Sequence, residues 1–217
     1  MVRPSRSGLI AASIAFAGPA LAATPLDDLI KPEANTSACF SRVYDAAHLR
    51  QHPRQATTTI TVWLRYENMS SDARGLVLDL GLAISRRGDP LPYFAQGECF
   101  WDAAANRDTS GQRMIKSLNK DEAAVCTMSA QPDVFEASSA EEGGVVLLDR
   151  GKDRNTLMVY LDEGQTLVKR ATRGQQEYLR FGADDRVFLL RRTDIKNCAA
   201  VENAVTEPEP GVPPRQR

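Results

Sequence analysis

Histidine is scarce in this chain. His48 and His52 are the two present in 217 residues, and they stand four positions apart. None is placed elsewhere to serve a dispersed Ser-His-Asp triad. Other reactive signatures are missing too: there is no G-x-S-x-G elbow, no phosphate-binding G-x-x-x-x-G-K-[ST] and no G-x-G-x-x-G. There is no basic excess to meet nucleic acid, since 27 Lys and Arg stand against 28 Asp and Glu. Beyond the first two dozen residues no apolar run approaches the roughly 20 residues of a membrane helix. The four cysteines, Cys39, Cys99, Cys126 and Cys198, are far apart, with no histidine beside any of them. Zinc-ligand spacing is therefore absent.

What is there begins at the N-terminus. Arg3 and Arg6 precede a small-residue apolar run from Gly8 to Ala17, then Gly18-Pro19, then Ala20-Leu21-Ala22. This order of charge, short apolar stretch and A-x-A site reads as a bacterial secretory signal peptide over 1–22, too short to span a bilayer. The mature chain is expected to start at Ala23 in a periplasmic or secreted, oxidising setting. Loss of Arg3 and Arg6 leaves 25 basic residues against 28 acidic ones, net −3. The length suits one domain. No cysteine follows the cleavage site, so no lipid anchor is expected.

An even cysteine count in an exported chain reads as two disulfides. Three pairings are open. Cys39–Cys198 with Cys99–Cys126 is favoured, because it ties the first segment to the last ordered one and joins a strand end to a segment one loop away. Chain entropy assigns about 5 kcal/mol to the long loop and about 3.5 to the short one.

Residues 23–38 are polar, carry Pro25, Pro32 and Asn35, and read as an extended leader. Asp45 can cap a short helix that Pro53 ends. Strands follow. Ile60, Val62, Leu64 and Tyr66 alternate with Thr59, Thr61, Trp63 and Arg65. Leu76, Leu78, Leu80, Leu82 and Ile84 share one face of the next strand, and Tyr93, Ala95, Gly97, Cys99 and Trp101 one face of the third. Small residues at 95 and 97 imply close packing or a bend. Further short strands are expected near 121–128, 144–148, 156–161, 166–169 and 186–191, with 129–142 as loop, and 166–183 as the segment that could instead hold a helix. A short helix is expected around 194–201, carrying Cys198. The tail 203–217, with Pro208, Pro210, Pro213 and Pro214, reads as disordered. The whole predicts a single all-β domain over 39–202: a mostly antiparallel small barrel or sandwich with short flanking helices, stapled by disulfides.

The order Cys-Phe-x-Arg-x-Tyr-Asp-Ala-Ala-His-Leu-x-x-His-Pro at 39–53, Gly97-Glu98-Cys99, Gly143-Gly144-Val145 and Asp184-Asp185-x-Val187-Phe188-x-Leu190 before Cys198 resembles small secreted proteobacterial proteins that carry no assigned activity. The resemblance implies a shared fold and export. It lends no catalytic residues.

Several residues invite chemistry. His48 and His52 share a helix face and, with Asp45, are the metal candidates, but Leu49 stands where a zincin needs Glu. A helix-end role is the simpler reading of both. Arg87-Gly88-Asp89 matches an integrin tripeptide at a place where a hairpin wants Gly and Asp. Asp149, Asp153 and Asn155 lack EF-hand spacing. Glu98 with Asp102, or Asp184 with Asp185, could pair as glycosidase carboxylates. Trp63, Arg65 and Trp101 are the binding candidates, a platform if their strand face is exposed. No cofactor is expected. The leading expectation is a non-catalytic binding module for a protein or glycan of the cell envelope, without nucleic acid or a membrane span. An envelope or carbohydrate-active hydrolase ranks second and a metal-handling protein third.

Overall fold

The computed structural model describes residues 24–68, 76–116, 118–129, 144–162, 164–169 and 176–206. The expected signal peptide, the 130–142 part of the expected loop and the tail from 207 lie outside the described residues. Ten strands form one sheet: β1 (Ser37–Val43), β2 (Thr57–Asn68), β3 (Leu76–Arg86), β4 (Tyr93–Asp102), β5 (Ala123–Ser129), β6 (Val145–Arg150), β7 (Thr156–Leu161), β8 (Gly164–Lys169), β9 (Gln176–Arg180) and β10 (Val187–Thr193). Each of β1 to β6 pairs antiparallel with its successor, β7 pairs with β10, and β10 returns to β1. Eight strands thus close into an up-and-down barrel. The hairpin β8–β9 is inserted between β7 and β10 and attaches to the start of β4 at Tyr93 and Phe94.

The period-two pattern explains the closure. Ile60, Val62 and Leu64 of β2, Leu78, Leu80, Leu82 and Ile84 of β3, and Tyr93, Ala95 and Cys99 of β4 all face the lumen, as their alternation requires. Ala38 and Phe40, Ala124, Cys126 and Met128, Val146, Leu148, Leu157, Val159, Phe188 and Leu190 complete the packed interior. Gly97 is where β5 comes closest. A Cβ there would lie 2.6 Å from the Thr127 carbonyl oxygen and 2.7 Å from the Met128 sulfur. The close packing implied by residues 95 and 97 is thus local to β4 and β5.

Both disulfides are formed: Cys39–Cys198 and Cys99–Cys126. Cys99 and Cys126 are direct cross-strand partners whose sulfurs point into the lumen. Cys39–Cys198 lies on the outside and ties β1 to a 3-10 turn, Ile195–Cys198, that leads into helix α2 (Ala199–Thr206). Among the described residues no helix is long and apolar enough to cross a membrane.

Two segments depart from the expectations. Where an extended leader is expected, Pro25–Asp28 form a 3-10 helix, and Leu26, Leu29 and Ile30 are buried against the lumen core. Arg192 donates to the Leu29 carbonyl and Arg150 pairs with Asp28, so the strand ends fasten this plug. The second departure is β1. Its polar residues Ser37, Ser41 and Arg42 leave only Ala38 and Phe40 as an inward apolar signal, yet it closes the ring. Within 166–183 the described residues form the end of β8, then β9 and the start of a 3-10 turn, and 203–206 continue helix α2.

The 103–122 connection folds back over the outside. Ala105, Ile115 and Leu118 pack on Leu147 and Tyr160, an apolar satellite core. Asn106, wholly buried, organises it: its amide donates to the carbonyls of Ile115, Leu118 and Lys120 and its oxygen accepts from the Ile115 N–H.

Leu82 is fully buried between Val62 and Ala95 in register. Leu82→Ala should therefore lower the unfolding free energy by about 2–5 kcal/mol, read from urea melts with an unchanged m-value. A loss well under 1 kcal/mol would mean that the lumen is loosely filled.

Candidate functional site

His48 lies in α1 (Ala46–Gln51), in the β1–β2 connection, and His52 is the helix's C-cap. The helix starts as expected, with an Asp45 carboxylate oxygen accepting from the His48 backbone N–H at 2.7 Å. That bond holds the Asp45 carboxyl below its ordinary value, because it favours the charged form. His48 and His52 stack with ring centroids 4.3 Å apart. Tyr44 lies against His48 at 4.7 Å, and the Arg42 guanidinium sits 5.3 Å from the Tyr44 ring centre. The result is a column of four flat groups rather than converging ligands.

The His48 tautomer follows from its neighbours. Gln55 donates its amide N–H to the Thr57 carbonyl at 2.9 Å, which leaves its oxygen facing His48 Nε2 at 3.0 Å. An acceptor there calls for Nε2–H on His48. Asp45, His48 and His52 are therefore engaged in a cap, a hydrogen bond and a stack. Among the described residues no three His, Cys, Asp or Glu side chains gather into a metal-sized group.

The carboxylates expected to pair have separate duties. Asp185 is 2% exposed and accepts from the backbone N–H of Ala56 at 2.8 Å and of Thr57 at 2.9 Å, clasping the β9–β10 connection to the start of β2. Asp184 forms an ion pair with Arg54 at 3.5 Å. The nearby Tyr44 phenol is raised, chiefly by burial, with Arg42 opposing and Asp185 adding. Glu98 and Asp102 are four residues apart on β4, about 13 Å along a strand, and Asp102 turns to the Ala104 N–H at 2.8 Å. Glu98 instead faces Asp79 across β3, with Arg65 next in the row.

Arg87-Gly88-Asp89 forms the β3–β4 turn, with Gly88 at φ 77°. Arg87 donates to the carbonyls of Leu49 at 2.5 Å and His52 at 3.0 Å, capping the C-terminus of α1. Asp89 accepts from the Leu91 N–H and the Tyr93 hydroxyl. Asp149 pairs with Lys120 of the 103–122 connection at 2.8 Å, and Asp153 accepts from the Asn155 N–H within the β6–β7 turn.

The three binding candidates are not brought together. Trp63 is 1% exposed, covered by Cys39–Cys198 and α2, and so offers no surface platform. Arg65 follows on the same outer face and pairs with Glu67 at 3.4 Å. Trp101 lies on the opposite face of its sheet, packed against the lumen core, with the Lys120 ammonium 5.9 Å from its ring centre.

The surface that sequence reading missed is aliphatic. Val43 of β1 is 70% exposed, and Val187 and Leu189 of β10 are 38% and 39% exposed. The strands are neighbours, paired from Cys39–Thr193 to Ser41–Arg191, and Val43 and Leu189 each follow two residues beyond the last pair. The alternation of β10 held the signal: Phe188 and Leu190 fill the lumen, which turns Val187 and Leu189 outward. No protein family, curated protein or solved structure matches the chain.

The Asp45 cap gives a pH test. A depressed carboxyl stabilises above the ordinary Asp value, near 4, and that contribution is lost as pH falls through the lower folded value. The His48 amide proton should titrate in NMR with a midpoint below the ordinary Asp value, and Asp45→Ala should abolish the transition. A midpoint at or above the ordinary value would contradict the cap.

Proposed function

We propose that the chain is an exported, non-catalytic module of the cell envelope that binds a partner protein through the outer face of β1 and β10. The observation that carries this reading is the exposed aliphatic strip Val43, Val187 and Leu189 on a rigid, closed barrel. A contiguous exposed apolar patch is a feature of interaction surfaces. The strip is aliphatic, and the aromatic expected to receive a sugar ring, Trp63, is buried. Both points favour a protein over a glycan. Two disulfides suit an oxidising compartment, and the segment 1–22 and the resemblance to small secreted proteins lead the same way.

Tagged protein expressed with its leader should be recovered from the periplasm with an intact mass starting at Ala23. It should retain a defined protein in stoichiometric amount. Val43→Asp with Leu189→Asp should lose that protein while melting at an unchanged temperature. No retained protein, or equal retention by the double variant, would refute the proposed surface.

A further inference from the structure

Helix α2 lies across the outside of β2, β3 and β4. Register places Trp63 of β2 beside Gly81 of β3, and Ala83 of β3 beside Phe94 of β4. Two rings thus flank a floor of small residues, which forms a groove. Cys39, Cys198 and Val201 fill it, packed with Trp63, Ala83 and Phe94.

The packing that holds α2 there is thin. The helix has eight residues, fewer than the about 12–15 at which an isolated helix becomes even marginally stable. Of its side chains with described burial, Val201 alone is buried, while Ala199, Ala200 and Asn203 are exposed. The indole N–H of Trp63 is buried beneath it without a hydrogen-bond partner, which opposes docking. The covalent bond at the start of the helix supplies what packing does not.

The two disulfides differ in what must open before a thiol can reach them. Cys99–Cys126 joins adjacent strands inside the closed ring, so the barrel itself must part. Cys39–Cys198 is also buried, but beneath the last described helix, where local fraying suffices.

We propose that the Trp63–Gly81–Ala83–Phe94 groove is a redox-gated docking site whose resident occupant is the chain's own helix α2. A small dithiol opens it. One thiolate attacks the Cys39–Cys198 bond to form a mixed disulfide, and the second thiolate resolves it. Cys39 and Cys198 leave as two thiols, and the dithiol leaves as its cyclic disulfide. The strap then detaches and the groove is exposed, with the barrel and Cys99–Cys126 intact. The gate does not depend on the partner surface of β1 and β10.

The test uses the full chain carrying Trp101→Phe, so that Trp63 is its sole tryptophan after signal cleavage. Under increasing dithiothreitol, mass mapping should show Cys39–Cys198 opening before Cys99–Cys126. Over that first step Trp63 emission should move to longer wavelength and acrylamide quenching rise several-fold, with the β-sheet circular dichroism unchanged. Cys39→Ser with Cys198→Ser should show the exposed Trp63 without reductant. The proposal is overturned if the two disulfides open together, if Trp63 stays buried once Cys39–Cys198 is open, or if the double serine variant does not fold.

Discussion

Everything in this fold depends on the pairing of its first strand with its last. The ladder Cys39–Thr193, Phe40–Arg192 and Ser41–Arg191 turns a meander of seven strands and a late eighth into a ring. Without it, β1 and β10 would each be an open edge, and the lumen would lie open along one side. With it, the chain's two ends are brought side by side. That is why a disulfide across a sequence separation of 159 can form. It is also why Arg192, over the Phe40 ring at 4.9 Å, can reach the Leu29 carbonyl and hold the N-terminal plug. Partial burial lowers the Arg192 guanidinium and is the main cause that raises the Tyr66 phenol to about 12, with Asp27 adding.

The lumen is packed with side chains. An eight-stranded barrel is at the size where side chains can just fill the interior or leave room for one small ligand. Here leucines, a disulfide and two plugs take the space. The plugs are Leu26, Leu29 and Ile30 at one end and Leu179 and Phe181 at the other. The charged residues that first suggest chemistry serve the architecture instead. Asp185 clasps two backbone amides, Arg87 caps α1, Asp45 starts it, and Asp121 joins Arg107 and Arg113. The Asp121 carboxyl is held low chiefly by its hydrogen bond to Arg107.

The strands with strict alternation were legible in the sequence. Leu76 to Ile84 could only be a strand with one buried face, and its partners β2 and β4 shared the signal. Of the three cysteine pairings open in the sequence, the one favoured by placement along the chain is the one formed. Other features were hidden because their cause is tertiary. β1 offers two small or apolar inward residues and depends on β10, which is far away in sequence. Leu26 and Leu29 look like loop residues until a barrel end is present to receive them. Trp63 sits on the outward face, so alternation alone places it at the surface; burial comes from α2 and the Cys39–Cys198 bond. The histidines kept their helix, but Gln55 and Tyr44, which fix their ring positions, could not be assigned from spacing.

Closure of the ring is tested most directly by native-state hydrogen exchange on the β1 and β10 amides that pair across the seam. In a closed barrel these amides exchange only through global unfolding, in the slowest class together with the interior of β3. Exchange through local opening, at rates typical of an edge strand, would contradict closure and remove the basis for both the rigid support and the placement of Cys39 beside Cys198.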